Sequence, residues 1–294
     1  MLKVLVWQVS NDTSFKDNAL KILEQQHNGI EIVGEAVNND IAKVDGGHYD
    51  VLLVVGAKSI GMSKVTANAH KLNLPEEKLL GDWIVCIPGF TLKKYRHLQR
   101  SRLSIFSMNC FGGCISNVFG LPFRSPFVNL QLLEQDFIKF LREPHSYIEK
   151  EPHFEKMTNK FKWYTLSSTV PLLSLEDISL NMTHYKKAEE SISQWNDRKT
   201  RINWYNLLVI MFTNTKDDNE KILQEFDVLP YGKKVCFVPF KSDLDSAWYI
   251  NHRVDKEAKS FTGSIHRFMF GQFFYYDPFD MLLYGKKTPL IDMD

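Results

Sequence analysis

The sequence predicts an α/β protein of two domains: a Rossmann-like parallel sheet over residues 1–95 and a larger, mixed α/β domain over residues 96–294. Through the first third of the chain, apolar runs of strand length alternate with runs at helical spacing, the pattern of a parallel sheet wrapped by helices. At 294 residues the chain is also longer than one hydrophobic core usually serves. Residue usage then changes near Tyr95: all nine arginines lie at Arg96 or later, and only Phe15 and Phe90 of the 21 phenylalanines precede it. Two cores of different makeup are expected to meet at the basic segment Lys93 to Arg102.

In the first domain Val4 to Trp7 reads as a short strand and Phe15 to Gln26 as a helix. Ile30 to Val37 is a second strand. Val51 to Val55 is a continuous apolar run bounded by Asp50 and Gly56, as expected of a strand buried on both faces. Ser63 to Leu72 is helical, and Trp83 to Ile87 reads as strand. In the second domain Leu103 to Met108 and Phe127 to Leu130 read as strands, with a short helical piece between them. Leu133 to Leu141 is a helix stopped by Pro144. Ile178 to Met182 is a strand leading to His184, and Lys186 to Arg201 a long polar helix with Ala188, Ile192 and Trp195 on one stripe. Leu207 to Phe212 is a buried strand, Lys221 to Phe226 a helix and Val235 to Val238 a strand. Asp277 and Pro278 open a last helix, which Gly285 closes.

A formal net charge of +1 supplies no bulk field for nucleic acid or an anionic membrane. No apolar run reaches the roughly 20 residues a spanning helix needs. The first residues, M-L-K-V-L-V-W-Q, are too short an apolar stretch for a secretion signal, so a cytoplasmic protein is expected. An oligomer is compatible with this composition. Cys86, Cys110, Cys114 and Cys236 form neither a C-x-x-C pair nor a zinc-ligand array, so no metal is expected and all four read as free thiols. Cys86 and Cys236, in apolar runs, read as small buried hydrophobes.

The loop after the first strand, Q-V-S-N-D-T from Gln8 to Thr13, has no glycine and carries Asp12. A dinucleotide pyrophosphate needs the room and the charge that this loop withholds, so no cofactor is expected there. The run from Gly56 to Ser63 has the outline of a P-loop, with Met62 where the lysine belongs, and reads as an ordinary strand-to-helix turn. The most informative stretch is Ile105 to Asn129. An apolar strand ends in Asn109 and Cys110, and the pair Gly112-Gly113 and the turn Ser125-Pro126 follow. Cys110 at a strand tip beside glycine amides suits either a thiolate nucleophile next to an anion hole or a packed thiol in a turn. The glycine pair argues against helix near Cys110. His184 closes a strand and is either a general base or a capping histidine. Trp195, Arg198 and Arg201 share one side of the long helix, with Asn203 at its end. That face could hold a phosphate or be a solvated flank. Asp243-Leu244-Asp245 has the outline of a metal-binding triplet in a polar turn.

The run N-C-F-G-G from Asn109, the run G-L-P-F-R-S-P-F-V-N-L from Gly120, the pair His184-Tyr185 and the run W-N-D-R-K-T-R-I-N-W-Y-N-L-L-V-I-M from Trp195 resemble a bacterial family, domain-of-unknown-function family nineteen-nineteen. That family is often labelled as exopolysaccharide biosynthesis protein. The resemblance covers about Ser101 to Phe240 and implies a context of surface-polysaccharide assembly, with no established reaction. The first domain resembles the small Rossmann-like module found beside glycan-biosynthesis enzymes, with Gln8 where that module has glycine after its tryptophan.

The reading that follows is a transferase acting on a sugar nucleotide or glycan intermediate, with a small-molecule or glycan substrate. Cys110 and His184 are the candidate catalytic residues. Asn109, Gly112, Gly113, Ser125, Asn129, Arg198, Arg201 and Asn203 are the candidate substrate-binding residues. The alternatives are a non-catalytic sugar- or nucleotide-binding or scaffolding protein, and a cysteine-dependent acyltransferase or hydrolase.

Overall fold

The computed structural model describes residues 1–44, 48–161, 164–214 and 220–293. The chain divides into two compact units, Met1–Ser101 with Ser116–Pro122, and Arg102–Ile115 with Phe123–Asp294. No helix among the described residues is long and apolar enough to cross a membrane.

The first unit is built on four parallel strands, β1 (Leu2–Gln8), β2 (Ile30–Val37), β3 (Val51–Val55) and β4 (Leu79–Gly81), in the order β2-β1-β3-β4. The five residues of β3 are all buried, which is why that strand reads as an unbroken apolar run. The chain leaves β1 toward one side and returns through β3 on the other, so the loops after β1 and β3 meet at the switch point of the sheet. In open α/β sheets this is the place for a ligand. Here the chain fills it. The buried carboxylate of Asp82 accepts the amides of Gly56 (2.8 Å), Ala57 (3.1 Å) and Trp83 (2.9 Å). Burial holds its pKa above the ordinary value in spite of those bonds. Ser59 Oγ lies 2.8 Å from Ser10 Oγ, and a Cβ at Gly56 would lie 2.1 Å from the same atom. Asp82 also explains a correction. The apolar run Trp83 to Ile87 is not a strand: Asp82–Val85 is a turn of helix, and the fourth strand lies just before it. Cys86 is consequently half-buried, its sulfur 3.3 Å from Asn18 Nδ2.

The second unit contains β5 (Ser104–Ser107), β6 (His153–Phe161), β7 (Tyr164–Leu175), β8 (Ile178–Asn181), β9 (Leu207–Phe212), β10 (Lys234–Val238) and β11 (Ala247–Tyr249). A parallel sheet has the order β11-β10-β9-β5, and β6, β7 and β8 make a separate antiparallel sheet. The phenylalanines concentrated after Tyr95 form much of its core. The Phe127 ring packs within 4.6–5.8 Å, centroid to centroid, of Phe106, Phe137, Phe140 and Trp195. The expected helices form at Glu134–Arg142, Ala188–Lys199 and Glu220–Asp227. The last helix, Pro278–Tyr284, is capped by the Asp277 carboxylate on the amides of Phe279 (2.8 Å) and Asp280 (3.0 Å) and stopped by Gly285 at φ +61°.

Two expectations for this unit are corrected and one hairpin is added. Phe127 to Leu130 is irregular: Ser125 Oγ takes the Phe127 amide at 3.1 Å, and Asn129 turns the chain at φ +65°. The hairpin β6–β7 went unread because β6 is largely exposed, Phe154 and Met157 included, and an exposed strand shows no buried face to alternate. Helix Phe111–Val118 contains Gly112 and Gly113 rather than being broken by them. A Cβ on Gly112 would lie 2.8 Å from Ser107 Oγ and 3.0 Å from Ile105 Cγ2, and one on Gly113 would lie 3.0 Å from Val128 Cγ1. The glycines let the helix press against β5 and the Phe127 segment.

Candidate functional site

The carboxyl ends of β5 and β8 are tied together by the chain between Leu130 and Leu132. Gln131 and Asn181 exchange both backbone bonds (2.8 and 3.0 Å), and the Leu132 amide donates to the Met108 carbonyl at 2.8 Å. This brings Cys110 Sγ to 3.6 Å from Thr183 Oγ1 and 3.9 Å from the Leu130 carbonyl. The next residue, His184, is exposed. Two of the sequence-predicted residues, Cys110 and His184, therefore belong to segments that meet at the carboxyl edge.

Asn109 and the glycines serve a different purpose from the one expected. Asn109 Oδ1 accepts the Phe111 amide at 3.0 Å, and Ser107 Oγ accepts the Gly112 amide at 2.9 Å while donating to the Asn109 carbonyl at 2.7 Å. The opening amides of helix Phe111–Val118 are thus capped by the chain's own oxygens. An anion hole at Asn109, Gly112 and Gly113 would have to displace these caps.

Burial raises the Cys110 thiol above its usual range, with the Thr183 hydroxyl a smaller, opposing influence. Burial and the neighbouring Cys110 push Cys114 up to about 12. Both sulfurs are held as thiols at neutral pH, which does not favour a thiolate nucleophile. Iodoacetamide is expected to label Cys110 and Cys114 in the folded protein about tenfold more slowly than in the urea-unfolded chain at about pH 8. Peptide mass spectrometry reads this directly. Equal rates at Cys110 would show that the thiol is neither buried nor held protonated.

Polar groups that the sequence did not single out lie near these strand ends. Asn181, the last residue of β8, is fully buried with neither Nδ2 nor Oδ1 bonded, and Thr213, just past β9, buries an unbonded Oγ1. Asn181 had a legible sign: it stands among Ile178, Leu180 and Met182, all buried. Thr183 had none, since its contact with Cys110 is tertiary.

The remaining candidates lie elsewhere. Ser104, at the start of β5, accepts the Asn203 amide at 2.9 Å and donates to the Arg124 carbonyl at 2.7 Å, while Asn203 Nδ2 donates to the Arg102 carbonyl at 3.0 Å. Asn203 is a clamp at the amino edge of the sheet. β5 itself advances about 10 Å from Ser104 to Ser107 before the chain bends into Asn109. Arg201 pairs with Asp197 at the same end. Arg124 sits where burial, and then Arg102 and Arg201, depress its guanidinium pKa. Arg198 is buried and turned inward. Its Nη1 donates to Tyr185 Oη at 2.7 Å and the Val128 carbonyl at 3.4 Å, and its guanidinium lies 5.5 Å from the Phe123 ring centroid. Ser125 and Asn129 shape the turn before the core. The candidate residues are therefore divided between two edges: Asn109, Cys110 and His184 belong to the carboxyl edge, whereas Arg201 and Asn203 belong to the amino edge. The helical spacing of the arginines told which side they share but not what they touch. Asp243 and Asp245 are exposed in a turn where Ser242 Oγ accepts the Leu244 amide at 3.3 Å.

The profile described as Domain of unknown function (DUF1919) matches residues 85–284. An uncharacterized protein of Haemophilus influenzae is 31% identical over 188 residues, covering 63% of this chain and 84% of that protein.

Proposed function

Because the chain belongs to the DUF1919 family, we propose that its second unit takes a sugar nucleotide or glycan intermediate of surface-polysaccharide assembly and transfers a group from or to it at the carboxyl edge of the parallel sheet. The surface-polysaccharide context rests on the sequence resemblance. The observation that carries the site is the burial of Asn181 Nδ2 and Oδ1 and of Thr213 Oγ1 without partners. An unpaired buried amide or hydroxyl costs about 1–3 kcal/mol. A polyhydroxylated ligand offers both donors and acceptors, and because these atoms lie beneath the surface it reaches them as the edge opens. His184, beside Thr183 and open to solvent, is the general base in this reading. Arg198 and Arg201 are left out of it, since their donors are directed at Tyr185, Val128 and Asp197. For the first unit, the carboxylate of Asp82 on the amides of Gly56 and Ala57 favours a scaffolding role.

The test is Asn181→Leu, a swap close in size. If Asn181 is kept polar for a ligand, the substitution leaves stability unchanged or raises it by about 1 kcal/mol, because an unpaired buried group is removed. The same change should weaken binding of whichever of UDP-glucose, UDP-N-acetylglucosamine or GDP-mannose the wild type takes by about tenfold. Calorimetric titration and urea melts on the full chain measure both. Binding that survives the substitution, or no binding of any of the three to the wild type, would overturn the reading.

A further inference from the structure

A cavity of about 500 Å³ opens on the second unit between the loops that enter β9 and β10. Its size falls within the range of small-ligand sites. It is lined by Arg142, His145, Trp204, Tyr205, Tyr231 and Lys233. The charged groups are engaged by the protein itself: Arg142 pairs with Glu225 at 3.1 Å, and Lys233 Nζ donates to Asn206 Oδ1 at 2.5 Å and to the carbonyls of Leu282 and Leu283, each at 3.4 Å. Tyr231 donates its hydroxyl to the Leu141 carbonyl at 2.6 Å, which pins its ring. The ring faces turned away from one another remain. The His145 imidazole stacks on Trp204 with centroids 3.9 Å apart and planes 30° from parallel, and Trp204 in turn packs edge-on against buried Phe106 at 5.7 Å. The indole is held as a rigid, half-open plate, and the neighbouring Tyr205 is fully exposed.

We infer that this cavity binds a neutral pyranose ring of a glycan, on an aromatic platform made by Trp204, Tyr205 and His145. Cations already turned toward protein acceptors do not select an anion. Flat aromatic faces select a ligand with a flat C–H face, and hydroxyls at its rim can meet the imidazole and phenol edges. A sugar ring has both. The platform lies at the amino edge of the sheet, so the inference is independent of the transfer proposed at the Cys110 edge, and either can fail alone.

Cellohexaose, maltohexaose and chitohexaose, titrated calorimetrically into the full chain, are the probes. At least one is expected to bind, and Tyr205→Ala should weaken it about fivefold with an unchanged melting temperature, since the tyrosine is packed against nothing that holds the fold. Trp204→Phe, which keeps a ring against Phe106, should also weaken it. Failure of all three saccharides to bind the wild type, or equal affinity in Tyr205→Ala, would overturn the proposal. So would Tyr205-dependent self-association in sedimentation without saccharide binding, which would assign the platform to a second copy of the chain.

Discussion

Asp82→Ala should destabilise the first unit by about 3–5 kcal/mol, the cost of leaving backbone amides without an acceptor at about 1–3 kcal/mol each. The Asp82 side chain is almost fully buried, and its two carboxylate oxygens hold amides from two places, Gly56 and Ala57 after β3 and Trp83 in its own helix turn. Alanine leaves three amides without an acceptor and a void where the carboxylate was. Asp82→Asn should cost less, about 2 kcal/mol, because one carboxamide oxygen still accepts while the amino group faces donors. Hydrogen exchange resolved by peptide is the appropriate measurement, since it reads β1 and β3 separately from the second unit. Protection should fall in both strands for alanine and partly for asparagine. If Asp82→Ala exchanges like the wild type, the carboxylate does not hold the switch point closed.

What the sequence disclosed and what it hid follow from whether the relevant force is local. Val51 to Val55 was legible because burial on both faces leaves nothing but apolar residues to read. Trp83 to Ile87 misled because an apolar run does not report the Asp82 contact that turns it into helix. β6, long and mostly exposed, carries little hydrophobic pattern, and it forms by pairing with β7, whose second half buries Val170, Leu173 and Leu175 in the core. At the candidate site, Asn109 and Cys110 stood out because a strand, a polar pair and two glycines follow one another in sequence. The glycines were assigned to chemistry, yet the space they vacate is occupied by Ser107, Ile105 and Val128. Arg198 shows the same limit, since neither its burial nor its bond to Tyr185 can be inferred from a helical repeat.

Phe127→Ala should lower the stability of the second unit by about 3–5 kcal/mol, the range for removing a large buried ring. Phe127 is fully buried in a ring cluster with Phe106, Phe137, Phe140 and Trp195, so four neighbours lose contacts and none is small enough to close the gap. Phe127→Leu keeps most of the volume and should cost about 1–2 kcal/mol. The effect should reach the candidate site because Phe127 anchors the segment whose Leu130 carbonyl lies 3.9 Å from Cys110 Sγ and whose Val128 fills the space beside Gly113. Loosening that anchor should open the buried thiol, so Cys110 labelling should accelerate in Phe127→Ala under conditions where the variant is still folded. Urea melts give the stability change, and quantified alkylation gives the opening. A variant that loses the full stability while Cys110 labels at the wild-type rate would show that the ring cluster supports the core but does not set the geometry between β5 and β8.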